Sequence, residues 1–192
     1  MPAGRRQATS QESRQILIDA AAELFAEKGF RATTFEDIAA RSGISRGSIP
    51  WHFGNKEGLL EAVMDDFRTT GTMAVETATN LNEGIDRLFD YLQRPTSKLL
   101  TTMLAEAVEP DSRLTPFYAD LQTAMRRWLG IWARDIAPPE GADLNTFVSV
   151  LHGCIIGIHQ QWRIAPDEVD LNAAKGIVKT LFVPQPTRGR RK

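Results

Sequence analysis

Arg46, Gly47, Ser48, Trp51 and His52 lie within one short stretch, and together they are side chains that can read a nucleic acid. Arg46 can donate to a guanine edge or to a phosphate, Ser48 can bond to either, and Gly47 has no Cβ to hold the backbone away. Ile49 and Phe53 are four apart and can turn inward, which leaves the other five facing outward or sideways. A tryptophan beside Arg, Ser and His suits a DNA-facing helix better than a merely solvated one. Lys56 follows in the first turn of the next helix, where backbone N–H groups already favour an anion.

The flanking residues would position this set. Thr34 is a helix N-cap with Asp37 three residues on, and Phe35, Ile38 and Ala39 form an apolar stripe, so a short helix runs to about Arg41. Gly43 marks a turn, Ile44 plugs it into the core, and Ser45 is an N-cap for a second helix from Arg46 to about His52. Asn55 caps a third. The alternative is a short helical hairpin in an ordinary all-α core, with Trp51 half buried and His52 a surface residue; the spacing and the two caps favour the DNA-reading hairpin.

The segments LFAEKGF, TTFEDIAARSGISRGSI and WHFGNKEGLL resemble the DNA-binding domain of the TetR family of bacterial transcriptional regulators. The resemblance covers the first sixty residues, about a third of the chain. It implies phosphate contacts from Thr33 and Thr34, a major-groove position for Arg46, Gly47 and Ser48, and backbone contacts from Trp51, His52 and Lys56. One position departs from the family pattern: Pro50 stands where a tyrosine is usual. Lacking a hydroxyl and an N–H, Pro50 should remove the bond to the Arg46 carbonyl and shorten or bend the helix.

The formal net charge of −1 looks unsuited to DNA, but its distribution is not uniform. Residues 1–56 carry eight basic and six acidic side chains, residues 57–184 eleven basic and eighteen acidic, and the tail from Gln185 four basic and none acidic. Cations gather at the two ends, as expected if one face meets phosphate. The one cysteine, Cys154, excludes a disulfide framework and fits a cytoplasmic protein. His152 and His159 share a helix face from which Cys154 points away, so no metal site and no cofactor are expected. Residues 1–15 lack the apolar core of a signal peptide, and Phe147–Ile158 is too short to span a membrane.

Few alternating β-branched runs occur, so the expected fold is all-α. A polar arm over 1–8, with Arg5 and Arg6, precedes a first helix from about Ser10 to Lys28, capped by Thr9 with Glu12 and buried through Ile16, Leu17, Ala20, Ala21, Leu24 and Phe25. A long helix after Asn55 fades into a Thr-rich segment. Further helices are expected at about 83–93, 97–109, 116–136, 143–164 and 171–182. The expected organisation is a three-helix helix-turn-helix DNA-binding domain over 1–55, with its motif at about 34–53. A helical ligand-binding and dimerisation domain would follow over 56–184, then a basic tail over 185–192.

Met103, Trp128, Trp132, His152 and Gln160 could line a pocket for a small hydrophobic or aromatic effector, or be plain core. The penultimate helix is apolar nearly all round, and Gly153 and Gly157 would let another helix come close. Leu151, Ile155, Ile158, Trp162, Val178 and Leu181 are therefore candidates for a homodimer interface made of two helices from each protomer, the alternative being a monomer core. Combined with the resemblance, this implies a repressor of a palindromic double-stranded operator, released by a small molecule. The alternatives are a constitutive DNA-binding protein, or an enzyme that retains a helix-turn-helix; no catalytic constellation supports the latter.

Overall fold

The structure is a computed structural model that describes residues 3–184, with side chains over 9–71 and 76–184. Among these residues every regular element is helical: α1 (Ala3–Lys28), α2 (Phe35–Ser42), α3 (Ser48–Phe53), α4 (Lys56–Val75), α5 (Leu81–Leu92), a 3-10 turn (Pro95–Ser97), α6 (Lys98–Ala107), α7 (Leu114–Trp132), α8 (Leu144–Ile164) and α9 (Leu171–Phe182). Short polar residues start several of them by accepting backbone N–H groups that a helix leaves orphaned. Asn55 accepts from Gly58 at 2.8 Å, Asn80 from Glu83 at 3.0 Å, Asp143 from Thr146 at 2.7 Å, and Asp170 from Asn172 and Ala173.

Two compact units form. The first holds the described residues up to Thr72 together with Arg94–Ala119; the second holds Met73–Gln93 and those from Asp120 onward. In the first, α1 packs on α2 and α6. Its core contains Leu17, Ile18, Ala21, Leu24 and Phe25 of α1 with Ile38, Ile49, Leu59, Leu60 and Val63. In the second, α9 packs on both α5 and α8, around Ile85, Leu88, Phe89, Leu129, Leu151, Ile155 and Val178. Lys179 of α9 ion-pairs with Asp86 of α5, and Lys175 reaches Asp86 and Asp90.

Several sequence expectations need correction. α1 begins at Ala3, not Ser10, so the segment expected as an arm is helical backbone from residue 3 and Thr9 with Glu12 lies inside the helix, not at its cap. Ile16 is exposed and Ile18 is buried in its place, because the stripe through 17, 21, 24 and 25 is centred past residue 16. α4 continues through the Thr-rich segment to Val75, where the sequence suggests fading. The compact units also interleave along the chain, so residues 94–119 join the helix-turn-helix unit. The basic tail over 185–192 lies outside the described residues.

Candidate nucleic-acid interface

α2 is fixed at both ends by local chemistry. Thr34 Oγ1 accepts from Asp37 N–H at 3.2 Å while Asp37 Oδ2 accepts from Thr34 N–H at 2.7 Å, a complete capping box. Gly43, at φ 71°, ends the helix in the left-handed region and donates to the Ala39 carbonyl at 3.0 Å. Hydrogen bonds from Lys28 first, then from Thr34, hold the Asp37 carboxyl well below its ordinary range. Arg41 anchors α2 to α1 through Glu23 at 2.9 Å and Glu27 at 2.8 Å.

α3 starts two residues later than its sequence suggests. Ser45 does not cap it with its side chain; its carbonyl accepts from Ser48 N–H at 2.9 Å, and its hydroxyl pairs with that of Ser48 at 2.8 Å. Arg46 and Gly47 form the turn ahead of the helix. Pro50 consequently falls in the first turn of α3, where a missing N–H is tolerated. The Arg46 carbonyl is not left orphaned, because Ile49 N–H reaches it at 3.2 Å in a tightened i to i+3 bond. The helix is short, as expected, yet the proline sits at its start and not in its interior.

The residues expected to face DNA differ in exposure. Trp51 is 73% exposed and packs edge-on against His52, Gly47 and Arg46 are exposed, and Ser48 is half-buried. Thr33, expected at phosphate, is only 1% exposed and spends its hydroxyl on the Gly29 carbonyl at 2.8 Å. Arg46 reaches back to Glu36 of α2 at 2.9 Å, an exposed pair of the kind that contributes about 0–1 kcal/mol and can be exchanged for a phosphate or a base. Burial, reinforced by the charge of Arg14, lowers the His52 pKa and so favours the neutral ring. Across from α3, Thr9, Ser10 and Ser13 of α1 face Ser45, Gly47, Ser48, Trp51 and His52 over an open groove of about 470 Å³.

The turn between α1 and α2 is clamped from two sides. Lys56 Nζ donates to the Arg31 carbonyl at 3.2 Å and lies 4.5 Å over the Phe30 ring, so burial lowers its pKa and its ammonium is held against the turn. Glu106 of α6 accepts from Phe30 N–H at 2.7 Å, and Thr102 donates to the Ala26 carbonyl at 3.1 Å. Neither α6 residue is visible to sequence reasoning, because each partner lies 76 positions away. Glu36 carries a faint signal, an acid on the first turn of the helix that precedes Arg46.

The candidate effector residues do not all fall together. Met103 is buried in the first unit; Trp128, Trp132, His152 and Gln160 belong to the second. There the Trp128 and Trp132 rings lie 6.2 Å apart, and Trp132 is 3% exposed with its Nε1 lacking a hydrogen-bond partner. Burial, with Arg126 adding to it, pushes His152 down to about 4. His159, pushed down to about 4 chiefly by burial, accepts from Arg163 Nε at 3.3 Å.

The candidate interface residues divide as well. Leu151, Ile155 and Val178 are buried within the protomer, Ile158 and Trp162 are half-buried, and Leu181 is 70% exposed. The outward apolar positions are Val150 and Ile164 of α8 with Ile177 and Leu181 of α9. Gly153, Gly157 and Gly176 lie among them, each with open space where a Cβ would be.

A capped helix, a glycine turn and a short second helix with an outward Arg, Ser and Trp define a helix-turn-helix DNA-binding protein. The family model described as "Bacterial regulatory proteins, tetR family" matches residues 17–63. The HTH-type transcriptional repressor Rv3405c of Mycobacterium tuberculosis is 37% identical over 178 residues, covering 92% of this chain and 82% of that one. The HTH-type transcriptional regulator TtgR of Pseudomonas putida is 41% identical over 66 residues, 34% of this chain and 31% of TtgR. Among solved structures, the triclosan complex of SmeT, the repressor of a Stenotrophomonas maltophilia multidrug efflux pump, superposes with a TM-score of 0.70 at 24% identity, over 91% of this chain and 98% of that one. The chain belongs to the TetR family of bacterial transcriptional regulators. Among the described residues no helix is long and apolar enough to cross a membrane.

Proposed function

We propose that the protein is a cytoplasmic, homodimeric repressor that binds a palindromic operator and leaves it when a small hydrophobic or aromatic molecule occupies the second unit. The observation that carries this reading is the outward face of the α3 region, where Arg46, Gly47, Ser48 and Trp51 are accessible while Ile49 is fully buried. Arg46 and Ser48 would read base edges; Thr34, Trp51, His52 and Lys56 would hold phosphates. One such helix reads few base pairs. A dimer placing two of them about 34 Å apart, or a multiple of that, would read both halves of a palindrome.

Two further observations support the reading. The exposed Val150, Ile164, Ile177 and Leu181, with the open glycines between them, form a helical surface that a second copy could approach closely. The buried Nε1–H of Trp132 has no acceptor, a situation costing about 1–3 kcal/mol unless a ligand or an ordered water supplies one. Rv3405c is itself named a repressor, and SmeT was solved in complex with triclosan.

The test combines three measurements on the full chain. Light scattering at micromolar concentration should return a dimer mass for the wild type and a monomer mass for Ile177→Glu with Leu181→Glu. Footprinting of genomic DNA should give discrete palindromic sites; a smooth, salt-sensitive background would sink the regulator reading in favour of constitutive DNA binding. A screen for operator release should then find an aromatic or apolar compound whose affinity differs between the free and operator-bound protein. Coupling of about 1–3 kcal/mol is the expected scale, and Trp132→Phe should weaken that compound's binding.

A further inference from the structure

The fold leaves three hydroxyl residues with a role that the sequence does not reveal. Thr9 is placed in the sequence as though to cap a helix, but α1 starts at Ala3, so Thr9, Ser10 and Ser13 are interior positions. Serine and threonine weaken a helix interior relative to alanine, so helix propensity gives no reason to put three within five residues. Their spacing provides one. Ser10 and Ser13 are three apart and Thr9 and Ser13 four apart, which sets all three on one side of α1.

That side forms one wall of the groove. Ser48, Trp51 and His52, spaced i, i+3, i+4, form the opposite wall on α3, and Ser45 and Gly47 lie in the turn beside them. Among the eight lining residues there are five hydroxyls, an indole, an imidazole and a glycine, with no carboxylate and no aliphatic side chain. An apolar partner would find little to bury here, and a cation would find no anionic ligand. Groups rich in hydrogen-bond donors and free of negative charge suit the oxygens of a phosphodiester. Arg14 lies close enough to depress His52 electrostatically, which adds positive potential at the same place. Gly47 has nothing within 4 Å of where a Cβ would be, so a strand can come close to the backbone there.

We propose that this groove seats a backbone phosphodiester of the operator strand beside the bases that α3 reads, with Ser10 and Ser13 of α1 donating to its oxygens from the side opposite Trp51 and His52. The proposal rests on the reading of α3 as the DNA-recognition helix and extends the interface from the helix-turn-helix to α1. The contact fixes the depth and register of α3 without reading sequence. Thr102 of α6 holds the C-terminal end of α1, and Glu106 of α6 the turn that follows it. A single rigid helix therefore joins the phosphate seat to the contact with α6.

The experiment uses the full-length protein and a duplex that the wild type selects from a random library. Each phosphate is replaced in turn by a neutral methylphosphonate, and affinities are compared for the wild type, Ser10→Ala with Ser13→Ala, and Arg46→Ala. The double alanine variant should bind the native duplex about tenfold more weakly, with its preference among base sequences unchanged. Substitution at one flanking phosphate should cost the wild type a similar factor and cost that variant almost nothing further, the coupling expected of groups in contact. Arg46→Ala should keep its sensitivity to that phosphate. Ser13→Asp, which places a like charge in the groove on a helix that tolerates it, should lower affinity more than alanine does. Equal binding by the wild type and the double variant, or losses at every phosphate that simply add, would overturn the groove contact while leaving α3 as the reader. Failure of the wild type to enrich any duplex would overturn the DNA-recognition reading itself.

Discussion

Arg46 is the residue whose loss should change sequence preference most. Arg46→Ala is expected to lower affinity for the selected operator by about 1–3 kcal/mol and to flatten the preference at one base position, measured by fluorescence anisotropy on a panel of single-base variants. Its partner Glu36 lies 2.9 Å from the same guanidinium and would compete with DNA for it. Glu36→Gln should strengthen binding to random-sequence DNA and narrow the ratio between specific and random duplexes. Unchanged binding to random DNA would show that the pair does not restrain Arg46. Pro50 belongs to the same scale. In a helix interior a proline costs about 3 kcal/mol, but at the start of α3 its missing N–H removes little. Pro50→Ala should therefore shift the unfolding free energy by less than about 1 kcal/mol, read from urea denaturation.

Glycines show at the level of elements which helix faces are occupied. A Cβ on Gly84 of α5 would come 2.2 Å from Cε3 of the Trp132 ring, so Gly84→Ala forces that ring to move. Overpacking of about 1–3 kcal/mol should outweigh the gain of at most about 1 kcal/mol in helix propensity, and the midpoint of thermal unfolding should fall. Gly153 of α8 has open space instead. Gly153→Ala should leave protomer folding unharmed or slightly improved and yet weaken self-association, if α8 forms the proposed interface. Sedimentation across a dilution series separates the two effects. A variant that loses protomer stability but keeps its dimer affinity would argue against that face.

For the molecule as a whole, the buried histidines couple stability to pH. His152 and His159 are both pushed down to about 4 from an ordinary 6.5, each chiefly by burial. Between those values the unfolded chain takes up protons that the folded one refuses, so stability should fall as pH drops from about 6.5 towards 4 and stay level in this respect above it. Urea midpoints at neutral pH and near pH 5 would show the slope, and His152→Gln should reduce it. The second unit, where both rings lie, should lose its near-ultraviolet tryptophan signal in the same pH range.

Local chemistry made the recognition hairpin legible in the sequence. The Thr34 and Asp37 capping box, the left-handed Gly43 and the Asn55 cap act within four residues of themselves, and each formed as its residue types dictate. The all-α class followed for the same reason, since apolar periodicity needs no knowledge of distant partners. What the sequence could not fix was which side of an apolar helix turns inward. α8 is apolar nearly all round, so Leu151 and Ile155 were as plausible outside as Val150 and Ile164; packing against α9 placed the first pair in the core and left the second pair exposed. The Glu106 clamp on Phe30 and the groove between α1 and α3 likewise arise from segments distant in sequence. Capping and periodicity are properties of short stretches of chain, whereas burial and grooves exist only between elements already packed.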